Sequence, residues 1–343
     1  MKHNKDDLRQ MQSLPLSAKI LMTKNRIRDW YEYFDGQVYV SFSGGKDSTV
    51  LLHIARELYP DIEAVFVNTG LEYPEIRKFV KTFDNVTILR PKMRFDEVIR
   101  KYGYPIISKD TSKNVYEARK NPKSRAASKF DENSEYVKKY GSHYSLSKWN
   151  PLLESDIPIS HMCCNVMKKK PSKDFEKLTG KKPILATMAD ESLLRENQWL
   201  AYGCNAFDSK RPRSNPMSFW TEQDILQYIK ENNIPIASVY GDVVYKDKDG
   251  FMYQDSICGG KLCTTGCDRT GCIFCAFGAH LDERGGGRSR FERLKETHPR
   301  QYEYCIGGGE YINGVWQPSK EGLGMGHVFD ELNKIYGKDF IKY

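Results

Sequence analysis

No stretch of the 343 residues is apolar over anything near the ~20 positions that a membrane-spanning helix requires, so no bilayer span is expected. The opening residues, Met1 to Asp7, are polar and charged after the initiator, and no signal-peptide pattern is present. Internal repeats and low-complexity tracts are missing too, which argues against a repeat array or a disordered scaffold. Together these absences predict a soluble, cytoplasmic protein with no membrane partner. Cysteine, by contrast, is plentiful: nine in a cytosolic chain argue against a disulfide framework and for metal or redox chemistry. A formal charge of +8 favours an anionic partner, although nucleotide substrates alone would account for it. The length allows one large domain plus a substantial insertion or extension.

The densest local signal runs from Gln37 to Val50. Val38, Val40 and Phe42 are strand formers, whereas Val50, Leu51, Ile54, Ala55 and Leu58 recur at helical spacing. Between them lies Ser43-Gly44-Gly45-Lys46-Asp47-Ser48, a strand-to-helix turn. The first amides of a helix and its positive dipole end favour an anion at such a turn. Gly44 and Gly45 permit close backbone approach, Lys46 adds a point charge, and Ser43 and Ser48 add hydroxyl donors. The spacing is not that of the common ATPase P-loop, whose two glycines stand four residues apart before Lys-Ser/Thr. An alternative reading, in which the turn merely joins strand to helix and its polar residues cap it, leaves six consecutive phosphate-suited residues unexplained.

The spacing predicts an amphipathic helix from about Ser13 to Phe34, strands at 37–42, 62–67, 86–89 and 183–187, and helices between them. That alternation implies an α/β fold with a doubly wound, mostly parallel sheet. Ligands in such sheets sit beyond the carboxyl ends of strands, where Ser43 to Ser48, Asn68-Thr69-Gly70 and Asp190-Glu191-Ser192 all fall. The expected organisation is an N-terminal helical segment (1–36), a nucleotide-binding α/β domain (37–108 and 151–245), a basic helical insertion (109–150) and a Cys-rich C-terminal extension (246–343). The insertion mixes Lys and Arg with Tyr116, Phe130, Tyr136, Tyr140 and Tyr144. It reads either as a basic lid or nucleic-acid contact, with Lys120, Lys123 and Arg125 gripping phosphates, or as a solvated insertion whose aromatic residues pack on the parent domain.

Among the cysteines, Cys163 and Cys164 are adjacent, and Cys258, Cys263, Cys267, Cys272 and Cys275 follow. The Cys272-x-x-Cys275 pair suits two thiolates on one metal or cluster. Cys163, Cys164, Cys272 and Cys275 are the candidate ligands, with Cys263 and Cys267 as alternatives. An iron-sulfur cluster, a zinc knuckle and free redox-active thiols all stay open at this level. His161 reads as a structural neighbour of the vicinal pair, and Cys204 and Cys305 as small buried hydrophobes.

The loop Ser43 to Ser48, the turn Asn68 to Pro74, the segment Asp190 to Arg195 and the stretch Asn215 to Thr221 together resemble the phosphoadenosine phosphosulfate (PAPS) reductase family. The loop itself resembles the PP-loop of the ATP pyrophosphatase superfamily, with its adenine nucleotide alpha hydrolase-like fold. The resemblance implies that Ser43, Gly44, Gly45, Lys46, Asp47 and Ser48 bind an adenine nucleotide, with Thr69, Gly70 and Glu72 beside it and Ser192 and Arg195 on phosphate or sulfate. The cysteine pattern is similar to that of 4Fe-4S adenylyl sulfate reductases, and DndC-type DNA phosphorothioation proteins share both features.

Two departures stand out. The reductases' catalytic cysteine lies in a Glu-Cys-Gly-Leu-His motif near the C-terminus, absent from Leu332 to Tyr343, which leaves Cys305 as the candidate nucleophile. The family's Gly-x-Arg before Asp-Glu-Ser is Ala186-Thr187-Met188 here. The expected activity is therefore ATP pyrophosphatase-type adenylation of a substrate, DNA or RNA among the options, followed by sulfur transfer. Lys46 would stabilise phosphate charge, Asp47 would hold Mg²⁺, and a cysteine desulfurase would be a fitting sulfur donor. The alternatives are reduction of adenylyl sulfate or PAPS to sulfite, and a non-catalytic nucleotide-sensing subunit of a modification or defence complex.

Overall fold

The computed structural model describes residues 3–254, 260–285 and 287–343, and of 283–285 the backbone alone. The chain divides into two compact units, Met1–Asn68 with Glu72–Arg90 and Pro171–Gly271, and Thr69–Leu71 with Pro91–Lys170 and Cys272–Tyr343. The 1–36 segment belongs wholly to the first unit, and the 109–150 insertion to the second. Among the described residues, no helix is long and apolar enough to cross a membrane.

The first unit is a mixed α/β layer structure around a six-stranded sheet. Its strand order is Val86–Leu89, Ala64–Val67, Val38–Ser41, Lys182–Ile184, Arg213–Ser214, Asn205–Ala206, parallel except for the last pair. Val38, Tyr39 and Val40 are all buried, as a strand covered on both faces requires. Val38 and Val40 join the main core with Ile27, Trp30, Val50, Ile54 and Ile225 from the helices on one face. Tyr39 points the other way, its ring edge-on to Phe175 at 5.2 Å. From the central strand Val38–Ser41 the chain winds outward in both directions, so the carboxyl ends of Val38–Ser41 and Lys182–Ile184 flank the topological switch point.

The helix expected from about Ser13 to Phe34 is Leu16–Tyr33, its start set by Pro15 at the cap position, and a further short helix, Lys5–Gln12, precedes it. The longer one buries Leu16, Lys19, Thr23, Ile27 and Trp30 at the 3.6-residue period. Lys19 is only 2 % exposed and donates to both carboxylate oxygens of Asp224, at 2.9 and 2.7 Å. Asp224 also accepts from the Thr221 N–H at 2.7 Å, which ties the pair to the start of helix Glu222–Glu231.

In the second unit, helix Lys109–Lys120 buries Val115 and Ala118. The Arg119 guanidinium donates to the Ile157 carbonyl at 2.7 Å and to the Leu152 and Ser155 carbonyls. Trp149 packs edge-on to Tyr336 at 5.1 Å, and Tyr336 closes helix Met325–Tyr336. The insertion is thus stitched to the C-terminal helices of its own unit. Strand Ile106–Ile107 pairs in parallel with Ala276–Phe277, and Ile107 has a left-handed backbone at φ +61°, a costly conformation for a β-branched residue.

Candidate functional site

Two groups of chemistry-bearing side chains emerge, one in each unit. In the first unit, strand Val38–Ser41 runs into the Ser43 to Ser48 turn and helix Lys46–Leu58. Gly44 has φ +73°, and a Cβ there would lie 2.7 Å from Val80 and 2.9 Å from Ile76, so only glycine lets the loop settle on the adjoining helix Pro74–Val80. The Ser43 N–H donates to Ser48 Oγ at 3.1 Å, the two hydroxyls meet at 3.0 Å, and the Gly45 N–H donates to Ser43 Oγ at 3.3 Å. Gly45 caps the helix without a side-chain acceptor. Among the described residues, the Asp47 and Ser48 amides at the first turn meet no hydrogen-bond acceptor.

Lys46 is 4 % exposed; its ammonium donates to the Asp268 carbonyl at 2.6 Å and pairs with Glu222 at 3.0 Å. Its N–H donates to the Tyr240 hydroxyl at 3.2 Å, which meets Thr270 Oγ1 at 2.5 Å. Burial pushes the Tyr240 phenol up to about 12, so it stays protonated and neutral. Asp47 Oδ1 is buried with no hydrogen-bond partner among the described residues. Burial raises the Asp47 pKa, opposed by Lys46 and Arg269.

The opposite wall comes from the segment after strand Lys182–Ile184. Glu191 accepts from the Met188 N–H at 3.1 Å and from Arg269 at 2.6 Å, and pairs with Arg195. Burial, then Arg269, lowers the Arg195 pKa. Ser192 is exposed, with extended backbone at the start of helix Leu193–Tyr202. Lys46, Asp47, Met188, Asp190, Glu191, Glu222 and Arg269 line one cleft of about 180 Å³. That is less than the roughly 300 Å³ of the smallest pockets enclosing a drug-sized ligand, and it suits charged groups rather than a whole nucleotide.

Of the residues expected at the nucleotide, Ser43 to Ser48 and Arg195 thus meet around the switch point. Glu72 is buried in the first unit. Thr69 and Gly70 belong to the second unit, where Thr69 Oγ1 accepts from the Leu71 N–H at 3.2 Å and Gly70 has φ +77°. Sequence reading missed Tyr240, Thr270, Glu222 and Arg269 as parts of the cleft. Glu222 and Tyr240 lie 176 and 194 positions from Lys46, Arg269 lies 78 from Glu191, and no local pattern marks them; the glycines Gly266 and Gly271 bracketing Asp268 to Thr270 were the one available sign of a tight turn.

In the second unit, Cys163, Cys164, Cys272 and Cys275 line a single narrow pocket of about 20 Å³ together with Phe95, Pro105 and Met167. Cys163 and Cys164 approach to 4.0 Å between sulfurs. The Cys163 thiol donates to Cys164, which pushes the Cys163 pKa up and draws the Cys164 pKa down, with Lys109, Lys168 and Lys169 also favouring a Cys164 thiolate. A π-helical turn, Asn165–Lys169, follows directly. Burial raises the Cys275 thiol. Arg290 fixes the following strand by donating to the Cys275 carbonyl at 3.1 Å and the Phe277 carbonyl at 3.0 Å, while Asp282 grips the same guanidinium at 2.7 and 2.8 Å. Among the described residues, no three His, Cys, Asp or Glu side chains converge tightly enough for a single metal ion.

The alternative ligands Cys263 and Cys267 belong to the first unit, and Cys258 lies outside the described residues. His161 stands edge-on to Tyr116 at 6.0 Å. Cys305 is wholly enclosed in helix Pro299–Ile306, its sulfur 3.5 Å from that of Met325, and burial pushes its thiol far up.

Residues 37–277 match the family model described as the phosphoadenosine phosphosulfate reductase domain. The chain is similar to sulfate adenylyltransferase subunit 2 of Aeromonas hydrophila, 27 % identical over 62 % of this chain and 63 % of that protein. It is also similar to adenosine 5'-phosphosulfate reductase of Staphylococcus epidermidis, 23 % identical over 61 % of this chain and 68 % of the relative. A solved PAPS reductase from Candida auris in complex with phosphate aligns with a TM-score of 0.37 at 13 % identity, covering 69 % of this chain and 91 % of that one. The chain spans only 25 % of the length of another relative, an uncharacterised Methanocaldococcus jannaschii protein 34 % identical over 31 % of this chain. With most of its first-unit sheet, its phosphate-suited loop and the four-thiol pocket falling inside the matched residues, the chain belongs to the phosphoadenosine phosphosulfate reductase domain family.

Proposed function

We propose that the first unit binds the phosphates of an adenine nucleotide on Ser43 to Ser48 and transfers the adenylyl group to an acceptor oxygen. The acceptor oxygen attacks the α-phosphorus, the bond to the bridging oxygen of the β-phosphate breaks, and pyrophosphate departs with that electron pair. One observation carries this reading: the Asp47 and Ser48 amides at the start of helix Lys46–Leu58 are unengaged, and Lys46 and Asp47, whose Oδ1 has no partner among the described residues, line one cleft. Amides and ammonium suit phosphate oxygens, and a buried carboxylate oxygen suits the Mg²⁺ that accompanies a triphosphate. Bound there, the ion would neutralise charge on the phosphates. Lys46 would turn from Glu222 and Asp268 to the leaving phosphates, and Arg195 and Arg269 would stabilise charge on the opposite wall.

Sulfonucleotide reduction is the second reading, favoured by the named reductase among the relatives. It needs an accessible nucleophilic thiol, whereas Cys305 is enclosed and held protonated. Cys163, Cys164, Cys272 and Cys275 fit a 4Fe-4S cluster: a Cys₄ set on one apolar pocket, with three lysines favouring thiolate at Cys164. Such a cluster would supply one-electron chemistry or brace the loop.

Calorimetry of anaerobically purified protein with Mg-ATP, adenylyl sulfate and PAPS tests the choice, together with pyrophosphate release. Preference for ATP, lost in Lys46→Ala and weakened in Asp47→Asn, is the expected result. Preference for a sulfonucleotide with sulfite release would overturn adenylyl transfer in favour of reduction.

A further inference from the structure

Residues 109–150 hold ten Lys and Arg against five Asp and Glu, a net +5 of the chain's +8 in 42 of its 343 residues. A solvated structural insertion normally pairs such charges, and two of these do pair, Lys113 with Glu117 at 3.8 Å and Lys129 with Asp110 at 4.0 Å. Among the described residues, Lys120, Lys123, Arg125, Lys138 and Lys139 meet no carboxylate within ion-pair distance, and all five are exposed. Three of the five lie over tyrosine faces instead: Lys120 over Tyr116 at 4.2 Å, Arg125 over Tyr136 at 4.9 Å, and Lys139 over Tyr140 at 5.5 Å.

The aromatic residues of the segment divide by role. Phe130 and Trp149 are 4 and 6 % exposed and anchor the segment in its unit. Tyr140 and Tyr144 are 45 and 48 % exposed, and with Tyr136 they form a row, at 4.7 Å between Tyr136 and Tyr140 and 6.5 Å between Tyr140 and Tyr144. Helix Glu135–Tyr140 puts Tyr136 and Tyr140 on one face, since residues four apart share a face, and Tyr144 closes the following turn Ser142–Tyr144. Nothing in the unit's own packing needs these rings outside.

We propose that this face, Lys120 to Tyr144, binds single-stranded nucleic acid. Unpaired cations match a row of phosphates, and exposed rings at stacking distance match unpaired bases, whose faces a duplex hides. An acidic protein surface would satisfy the cations but give the tyrosine row no work. The surface lies wholly within the second unit, and its occupancy does not depend on the chemistry at Ser43 to Ser48.

The test is fluorescence anisotropy of the full chain with a labelled single-stranded oligodeoxynucleotide, the same sequence as RNA, and its duplex, over a series of salt concentrations. The single strands should bind more tightly than the duplex, whichever sugar is preferred, with log Kd rising against log salt at a slope of about 2 to 4 for three to five phosphate contacts. Lys123→Glu with Arg125→Glu and Lys138→Glu should weaken binding and flatten the slope by about 2. Tyr140→Ala with Tyr144→Ala should weaken single-strand binding by about tenfold or more at an unchanged slope, with far-UV circular dichroism and nucleotide affinity preserved. Absence of binding, equal binding of the duplex, or indifference to the tyrosine pair would overturn the proposal, the last two leaving a purely electrostatic surface of the kind an acidic protein would also occupy.

Discussion

Replacing Gly44 by alanine separates what the phosphate loop owes to backbone conformation from what it owes to close packing. A non-glycine residue at φ +73° costs about 1–2 kcal/mol. The added Cβ must also displace Val80 at 2.7 Å and Ile76 at 2.9 Å, two buried groups on one helix, and such overpacking costs a further ~1–3 kcal/mol. Gly180, in the same unit, has φ +75° but nothing within 4 Å of its added Cβ, so Gly180→Ala pays the conformational cost alone. The loss of unfolded-chain entropy that alanine brings is common to both and cancels in the comparison. Urea unfolding should therefore place Gly44→Ala about 1–3 kcal/mol below Gly180→Ala, and calorimetry should show nucleotide affinity reduced in the first variant alone. Equal losses in the two variants would refute the claim that contact with Val80 and Ile76 seats the loop.

Asp224→Ala, which strands the buried Lys19 ammonium, should cost about 3–5 kcal/mol in urea unfolding, while Lys19→Met combined with Asp224→Leu should recover most of that loss. Glu222→Gln removes the carboxylate that competes for Lys46, and calorimetry should show phosphate-bearing nucleotides binding a few-fold tighter; weaker binding would mean that Glu222 itself serves the ligand. Burial pushes the Asp282 carboxyl up, but the hydrogen bonds from Arg290 prevail and hold it below 3.8. Its folded pKa thus lies below the unfolded one, so its stabilisation is present above about pH 4 and lost as pH falls through that range; Asp282→Asn should flatten the acid limb of the unfolding profile. Cys305→Ala should lose stability, by creating a small cavity, yet keep turnover in the pyrophosphate assay; loss of turnover in a folded variant would restore Cys305 as a nucleophile.

The features legible in the chain alone were those written in short range. Val38, Val40 and Phe42 followed by two glycines and a lysine declare strand, turn and phosphate-suited helix start within fourteen residues, and the four parallel strands that carry alternating helices fall where their apolar runs do. The edge pair Asn205–Ala206 and Arg213–Ser214 escaped because two-residue strands have no periodicity to read. Pro15 was a visible cap that places the start of the expected helix at Leu16 and not at Ser13. Lys19 was unreadable as a core residue, since its burial depends on a carboxylate 205 positions away. The insertion likewise looked separable because its composition changes at Lys109, whereas its attachment rests on Arg119 and Trp149, whose partners are backbone carbonyls and distant rings.

The same distinction explains the cleft. Lys46 and Arg195, recognisable from their motifs, are each held by a carboxylate of the same unit: Lys46 by Glu222, Arg195 and Arg269 by Glu191. Cations buried without an anion would pay a large desolvation cost, so a site built for an anionic ligand must carry its own counter-charges while that ligand is away. Glu222 is half exposed, and releasing Lys46 from it exchanges one solvated ion pair for another with a phosphate. Glu191 is nearly enclosed and tied to the Met188 amide besides, so it keeps Arg195 and Arg269 aimed across the cleft whether or not a ligand is bound. The motif therefore marks the groups that meet the ligand, while two glutamates at unremarkable positions set which of those groups can move to it.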